Sequence, residues 1–352
     1  MLSNNSLLNK KLLMKRLSLL ILTAALGLQG CNSSNESKTI TPTKPVVPTK
    51  PTISAVHEIK PSDVANYIAE FKSQQSRLKL VFDGVESKIS HIENTKDSMI
   101  LKYDQGLAIF GYDFDNDEPL RSLQLLEGDT SDLANFKITR TLMGVNIEIN
   151  EDDDTMIYSG SVKDIATGNL YLVDLYINES LQGAGDSKLV INGNKATLSG
   201  TLGTSTYIQI QNMINTTSVD TLILSNVPGS KNDGINMHTG RLIRSAHLTT
   251  FMPKNGEAYS GGVDLFAAGS LRIYEMGGKI GVHSWCCTDD GKDAGQLSKN
   301  DKAHGAQLTY FREMLGDVKG PEFYFFTINA APAKGMHLMT PQEMAKYTLT
   351  AP

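Results

Sequence analysis

Two short stretches of the chain carry residue types suited to acyl chemistry. Gly256-Glu257-Ala258-Tyr259-Ser260-Gly261-Gly262 places a serine just before the apolar run Val263-Asp264-Leu265-Phe266-Ala267-Ala268, and Lys279-Ile280-Gly281-Val282 ends in His283. A serine where a strand turns into a helix lies beside the positive end of the helix dipole and next to backbone N–H groups without intrahelical acceptors, where an acyl oxyanion can be held. Its hydroxyl is a weak nucleophile alone, and histidine is the base best suited to activate it near neutral pH. Taken singly, Ser260 reads equally well as a helix N-cap and His283 as a strand-end histidine bonded to a backbone carbonyl.

The elements that must hold these residues alternate between strand and helix from Lys195 onward, which predicts an α/β layer. Thr221-Leu222-Ile223-Leu224 suits a buried parallel strand, and Asn226-Val227-Pro228-Gly229-Ser230 turns the chain into a helix whose Ile235, Leu242 and Ile243 face the core. Another strand is expected near 248–251. After His283, the polar stretch Trp285-Cys286-Cys287-Thr288-Asp289-Asp290-Gly291 opens an insertion running to about 300, suited to a lid or a substrate-selecting wall, before a helix marked by Ala306, Tyr310 and Phe311. The adjacent cysteines are poorly placed to bond each other and are expected as small buried apolar groups. His238, His247, His304 and His337 are expected at the surface or in the core. With no HExxH and no paired Cys/His spacing, neither a metal site nor a cofactor is expected.

The ordered set Gly256-x-Ala258-x-Ser260-x-Gly262, Ala268-Gly269, Arg272 and Ile280-Gly281-Val282-His283-Ser284 resembles the Clp protease proteolytic subunit and its relatives in the ClpP/crotonase-like superfamily. The resemblance covers about 190–352 and closes on Leu338-Met339-Thr340-Pro341-Gln342-Glu343-Met344-Ala345, similar to the family's final strand-to-helix step. It implies a β-β-α superhelix, Ser260 as nucleophile, His283 as base, an oxyanion hole from Gly229, Ser230 and Gly261, a peptide or ester substrate, and self-association. Two departures stand out. The family's Pro-Gly-Gly turn is here Pro228-Gly229-Ser230, and the family's aspartate position is occupied by Gly335. Asp289, Asp290, Asp293 and Asp301 in the insertion are substitutes for that acid, or a backbone carbonyl orients the ring and leaves a dyad.

Upstream the pattern differs. Ser62 and Asp63 open a helix over about 61–77, with Val64, Ile68 and Phe71 at helical spacing, and seven short β-rich runs follow at 78–82, 99–103, 107–112, 136–141, 145–149, 156–159 and 170–177. They predict a small antiparallel β domain with a binding or spacer role. Asp113, Asp115 and Asp117 alternate like calcium-loop ligands, but Glu118 stands where the loop needs glycine and Gln124 where it needs glutamate. That cluster and Glu151-Asp152-Asp153-Asp154 read as surface turns.

Lys10, Lys11, Lys15 and Arg16 precede an apolar stretch over 17–28 that ends in Leu28-Gln29-Gly30-Cys31, and a Ser/Thr/Lys/Pro-rich tether follows. The stretch is short for a membrane span, and its end resembles the lipobox of bacterial lipoproteins, which implies lipidation at Cys31. Asn32 in place of aspartate favours the outer membrane over the inner one, with the folded part facing the periplasm. The 352 residues, 40% hydrophobic and 20% charged, suit about two domains, and a net charge of −5 gives no basic stripe for nucleic acid. With three cysteines, one of them Cys31, a disulfide framework is excluded.

The expected architecture is therefore α+β and multidomain: a signal peptide over 1–31, a linker over 32–56, a β-rich domain over 57–185 and a ClpP/crotonase-like α/β domain over 190–352. The expected function is a cell-envelope serine hydrolase, a peptidase acting through an acyl-enzyme. The alternative is a catalytically inactive module of the same fold for peptide binding or assembly. An acyl-CoA enzyme is disfavoured, because that chemistry does not call for this serine and histidine.

Overall fold

The computed structural model describes residues 60–350 apart from 115, 117, 153, 289 and 290. Asp115, Asp117, Asp153, Asp289, Asp290, Cys31, the signal peptide and the whole linker lie outside the described residues.

Helix α1 (Asp63–Gln75) leads into nine antiparallel strands: β1 (Lys79–Phe82), β2 (Val85–Lys88), β3 (Ser90–Asn94), β4 (Ser98–Tyr103), β5 (Gly106–Asp113), β6 (Glu118–Gly128), β7 (Ile138–Asp152), β8 (Thr155–Asp164) and β9 (Leu170–Ile177). From β3 to β9 each strand pairs with the next in sequence, β9 pairs with β1, and β1 pairs with β2. Only Ile89 separates β2 from β3, so the two ends of the sheet are joined through the backbone and the sheet is barrel-like. Alternate residues fill its interior: Met99, Leu101 and Tyr103 from β4, Ala108 and Phe110 from β5, and Val173, Leu175 and Ile177 from β9 are buried in one apolar cluster.

Three of these strands differ from the sequence expectation. β2 and β3 read Val-Glu-Ser-Lys and Ser-His-Ile-Glu-Asn, with little apolar alternation, and β6 carries Pro119 and a leucine-rich pattern poor in β-branched residues. Their partners hold them as strands despite weak propensity. The runs expected at 136–141 and 145–149 belong to the single strand β7, whose pairing with β8 shifts register between Val145 and Glu148, where Asn146 has φ 54°.

After the short helix α2 (Ser180–Gly183), the second sheet begins with β10 (Lys188–Asn192) and β11 (Lys195–Ser199), then α3 (Thr204–Thr216), β12 (Thr221–Val227) and α4 (Asp233–Ser245). Next come β13 (Thr249–Met252), β14 (Glu257–Tyr259), α5 (Gly261–Ala268), β15 (Leu271–Tyr274) and β16 (Lys279–Val282). The chain ends with α6 (Gly305–Leu315), α7 (Lys319–Ala330), β17 (His337–Leu338) and α8 (Pro341–Lys346). Strand β12 forks: its first half pairs in parallel with β13 and its second half with β14. One limb continues to β15 and the other to β16 and β17. A second apolar cluster lies under this sheet, with Leu222, Leu224, Val227, Ala258, Leu265, Phe266, Ile280 and Val282 among its fully buried members.

Helix α1 links the two regions. Gln74 Nε2 donates to Glu179 Oε1 at 2.7 Å after β9, and the Tyr67 ring stands 6.2 Å from that of His238 on α4.

Candidate active site

Three neighbouring parallel strands deliver the site. In their registers Val227 of β12 pairs with Ala258 of β14, and Tyr259 of β14 pairs with Gly281 of β16. The Pro228-Gly229-Ser230 turn, Ser260 and His283 therefore leave the same carboxyl edge of the sheet side by side, where open α/β sheets commonly bind ligands. Ser260 N–H donates to the Gly281 carbonyl at 3.0 Å and ties the serine to the strand that carries His283.

Ser260 sits at φ 51° and ψ −122°, a strained backbone for a residue with a Cβ, costing on the order of 1–3 kcal/mol. It holds the N-cap position of α5, yet its side chain makes no capping hydrogen bond. The plain reading of an N-cap serine is thereby set aside at the level of contacts. What compensates the strain is the helix behind it. Every residue of α5 is buried, and its C-terminal carbonyls accept hydrogen bonds from Arg244 at Ala267 (3.1 Å), Thr250 at Phe266 (2.8 Å) and Arg272 at Gly269 (2.9 Å). Two guanidinium groups at a helix C-terminus also complement its dipole.

The glycines expected in the oxyanion hole meet here. Gly229 has φ 147°, and a Cβ on it would lie 3.3 Å from Ser260 Cβ and 3.9 Å from Ser260 Oγ. A Cβ on Gly261 would stand 2.7 Å from Ser230 Cβ, closer than such atoms pack. The turn is pinned by Leu202, whose N–H donates to Gly229 O at 2.8 Å and whose carbonyl accepts from Lys231 N at 2.9 Å. Gly229, Ser230 and Gly261 thus lie around Ser260, and the first-turn N–H groups of α5 have no intrahelical acceptor.

His283 Nδ1 is 2.7 Å from the carbonyl oxygen of Ser284. Donation from Nδ1–H to that oxygen leaves Nε2 as the basic nitrogen. The carbonyl is itself fixed, because Ser284 N–H donates to Ala331 O at 2.9 Å and Ser284 Oγ accepts from Gly295 N at 3.0 Å. A backbone carbonyl therefore takes the orienting position. Asp293 instead accepts from Ala333 N at 2.9 Å, and Asp301 accepts from Ala303 N at 3.0 Å. Ser260 and His283 line one cavity of about 40 Å³, and the serine hydroxyl makes no hydrogen bond to the ring in this structure.

Two carboxyls share that cavity and were missed in the sequence: Asp233, at the start of α4, and Asp264, one turn along α5 from Ser260. Asp233 accepts a short hydrogen bond from Ser230 Oγ. Asp264 is 8% exposed and receives one long contact, from Asn236 Nδ2 at 3.4 Å to Oδ2. Burial drives the Asp264 pKa well above the usual carboxylate range, the charge of Asp233 adds to the rise, and the Asn236 hydrogen bond opposes it. Desolvation also raises Asp233, against the Ser230 hydrogen bond and the charge of His283. Asp233 keeps solvent contact at the cleft mouth, where water screens it, so the stability consequence belongs to Asp264.

A carboxyl whose folded-state pKa is raised costs no stability below its unfolded value, about 3.9. The cost grows as pH climbs from there through the folded value, because the buried form resists ionisation. Asp264→Asn is therefore expected to raise Tm at pH 7.5 and to leave it unchanged near pH 3.5. The gain should be about 2–4 °C for each kcal/mol of desolvation relieved, read by calorimetry at both pH values.

Other expectations meet the structure as follows. Cys286 and Cys287 are exposed, which corrects the expectation of small buried apolar groups: the loop carrying them lies outside the apolar core. Together with Asp293 they form the one group of metal-type side chains converging within 4.8 Å among the described residues. His304 is fully buried, with Nε2 3.0 Å from Ser298 O and Nδ1 2.7 Å from Tyr324 Oη, which in turn accepts from Trp285 Nε1 at 2.9 Å. It acts as a post that holds Trp285 in the cavity wall. His238 is buried on α4, where desolvation lowers its pKa to about 4 and keeps it neutral. His337 bonds Glu343, whose pairing with Thr340 caps α8. No helix among the described residues is long and apolar enough to cross a membrane.

No family model matches the sequence, and no curated protein does. Similar solved structures include an enoyl-CoA hydratase from Bacillus anthracis, at 14% identity and TM-score 0.31, covering 47% of this chain and 68% of that one. The 1510-N membrane-bound stomatin-specific protease, in a mutant form, is similar at 17% identity and TM-score 0.33, covering 46% of this chain and 80% of that one. An enoyl-CoA hydratase from Bacillus halodurans follows at 16% identity and TM-score 0.30, covering 47% and 71%. Likenesses at that level settle nothing about chemistry.

Proposed function

We propose that residues 190–352 form a ClpP/crotonase-like domain of β-β-α superhelix type acting as a serine hydrolase, a peptidase, with Ser260 as nucleophile and His283 as base. The observation that carries this reading is the strained Ser260, which spends no hydrogen bond on capping and opens with His283 onto one cavity. In the reaction His283 Nε2 takes the hydroxyl proton as Oγ attacks the acyl carbon. Backbone N–H groups of Gly229, Ser230 and Gly261 receive the oxyanion, and the imidazolium returns the proton to the leaving amine or alcohol. Water then attacks the acyl-enzyme with His283 again as base. The Ser284 carbonyl holds the ring but stabilises the imidazolium less than a carboxylate does, so the unit is a dyad. An inactive module for peptide binding or assembly is the second reading, and the missing Ser260–His283 hydrogen bond favours it; such bonds often tighten only when substrate is bound. Incubating purified soluble protein with a fluorophosphonate, then locating the adduct by mass spectrometry, separates the two: an adduct on Ser260 supports hydrolysis, and folded protein without one supports the module.

The setting proposed for this domain is the periplasmic face of a bacterial envelope, the outer membrane in preference to the inner, as a self-associating lipoprotein whose β-rich domain over 57–185 serves as a spacer or binding module. The lipobox-like run ending in Cys31 supports it. Cys31→Ser is expected to release the protein from the membrane pellet or stall it with residues 1–30 attached. Wild-type protein found wholly in the soluble fraction with that segment still present argues against the anchor.

A further inference from the structure

We propose that Asn236 is a positioning residue for the nucleophile turn: from the first turn of α4 its side-chain amide holds the Gly261 carbonyl and so fixes the peptide N–H groups that follow Ser260. As a statement about catalysis it rests on the serine hydrolase reading; as a statement about what holds the turn it stands apart from it.

The turn has little to hold it from within. Ser260 is followed by Gly261 and Gly262, and glycine has the widest backbone freedom of any residue. A side chain cannot restrict Gly261, because a Cβ there would stand 2.7 Å from Ser230 Cβ and 2.9 Å from Asn236 Nδ2. The peptides on its two sides are held by hydrogen bonds. Val263 N–H donates to the Ser260 carbonyl at 2.8 Å, on the peptide whose N–H belongs to Gly261. Asn236 Nδ2 donates to the Gly261 carbonyl at 3.0 Å, on the peptide whose N–H belongs to Gly262. With both planes fixed, the Gly261 N–H keeps one direction, and a preorganised donor is what oxyanion stabilisation needs.

Burial and chemistry single out Asn236 for this task. It is 1% exposed, and a carbonyl can only accept, so the amide must turn its nitrogen toward Gly261. The same nitrogen reaches Asp264 Oδ2 at 3.4 Å. This orientation leaves Asn236 Oδ1 buried with no hydrogen-bond partner among the described residues. Such an oxygen costs stability, and an apolar side chain of like volume would avoid that cost. What the amide supplies against it is the hold on Gly261. Further along the same helix Arg244 donates to Ala267 O at 3.1 Å, so α4 grips α5 at both ends, but only the Asn236 grip adjoins the nucleophile.

The test is Asn236→Leu, which keeps a similar volume and removes both the donor and the unsatisfied oxygen. Fluorophosphonate labelling of Ser260, and kcat on an ester substrate, are expected to fall by about tenfold to a hundredfold with KM within about twofold of wild type. Tm is expected to stay or to rise by up to about 4 °C, and hydrogen exchange at residues 261–263 to quicken while the C-terminal half of α5 stays protected. A labelling rate within about twofold of wild type overturns the assignment. So does a slow variant whose exchange quickens evenly along α5, since that reports a loosened helix and not a turn aimed wrongly. Should wild-type protein leave Ser260 unlabelled, the hydrolase reading falls and exchange alone decides: quickening confined to residues 261–263 upholds Asn236 as the holder of the turn, and unchanged exchange overturns that too. If Asn236→Leu does not fold, Asn236→Ala, which leaves space in place of a branched side chain, carries the same comparison.

Discussion

Exchanging His283 for alanine is expected to slow acylation of Ser260 by on the order of 10⁴-fold or more while circular dichroism and Tm stay near wild type. The magnitude follows from the role. Without a base the serine must lose its proton to water during attack, and nothing local stabilises the resulting positive charge. Stability changes little because the half-buried ring contributes one hydrogen bond, to the Ser284 carbonyl, and packs outside the main apolar cluster. Ser260→Ala removes labelling altogether and relieves little strain, since alanine also carries a Cβ at φ 51°. The same series discriminates the source of ring orientation. With the Ser284 carbonyl as partner, Asp293→Asn and Asp301→Asn move the labelling rate by less than about tenfold, because their carboxylates are engaged with Ala333 and Ala303 backbone N–H groups. A loss at either position matching His283→Ala identifies a triad acid and refutes the dyad.

The legibility of this site in the sequence divides along physical lines. Ser260 and His283 are legible because each directly follows a short strand, β14 and β16, and the apolar run after Ser260 marks where the first of these strands gives way to a helix. Gly229 and Gly261 were readable as glycines, whose missing Cβ leaves room for the close approaches now seen to Ser260 and Ser230. Asp233 was not. Its place depends on the register Val227↔Ala258, which sets the beginning of α4 against the beginning of α5, and nothing local announces such pairing. Asp264 is hidden by its setting, a single acid inside an otherwise apolar helix, whose pattern gives no sign of where one polar side chain ends up. The Ser284 carbonyl has no letter of its own, since a backbone oxygen is available at every position and only the fold selects one. In the first sheet β2, β3 and β6 were illegible for a different reason: their strand character comes from neighbours that complete the barrel, not from their side chains.

Gly229→Ala is expected to lower the rate of Ser260 acylation by about 10²–10³-fold, the scale set by loss of one oxyanion donor, with a smaller effect on the fold. Two costs arise at this position. A side chain is strained at φ 147°, and relaxing that strain turns the Gly229–Ser230 peptide away from Ser260. If the backbone holds instead, the new methyl presses on Ser260 Cβ at 3.3 Å, tighter than ordinary contact, and pushes the nucleophile against an α5 that cannot yield because all of it is buried. Either way the hydroxyl and the N–H groups lose their alignment, while the Leu202 hydrogen bonds on both sides of the turn keep it attached to the sheet. The signature is a fall in kcat with KM nearly unchanged on an ester substrate, since the donor acts on charge that develops only in the transition state. A rise in KM with kcat intact removes this turn from the oxyanion hole and leaves Gly261 as its donor.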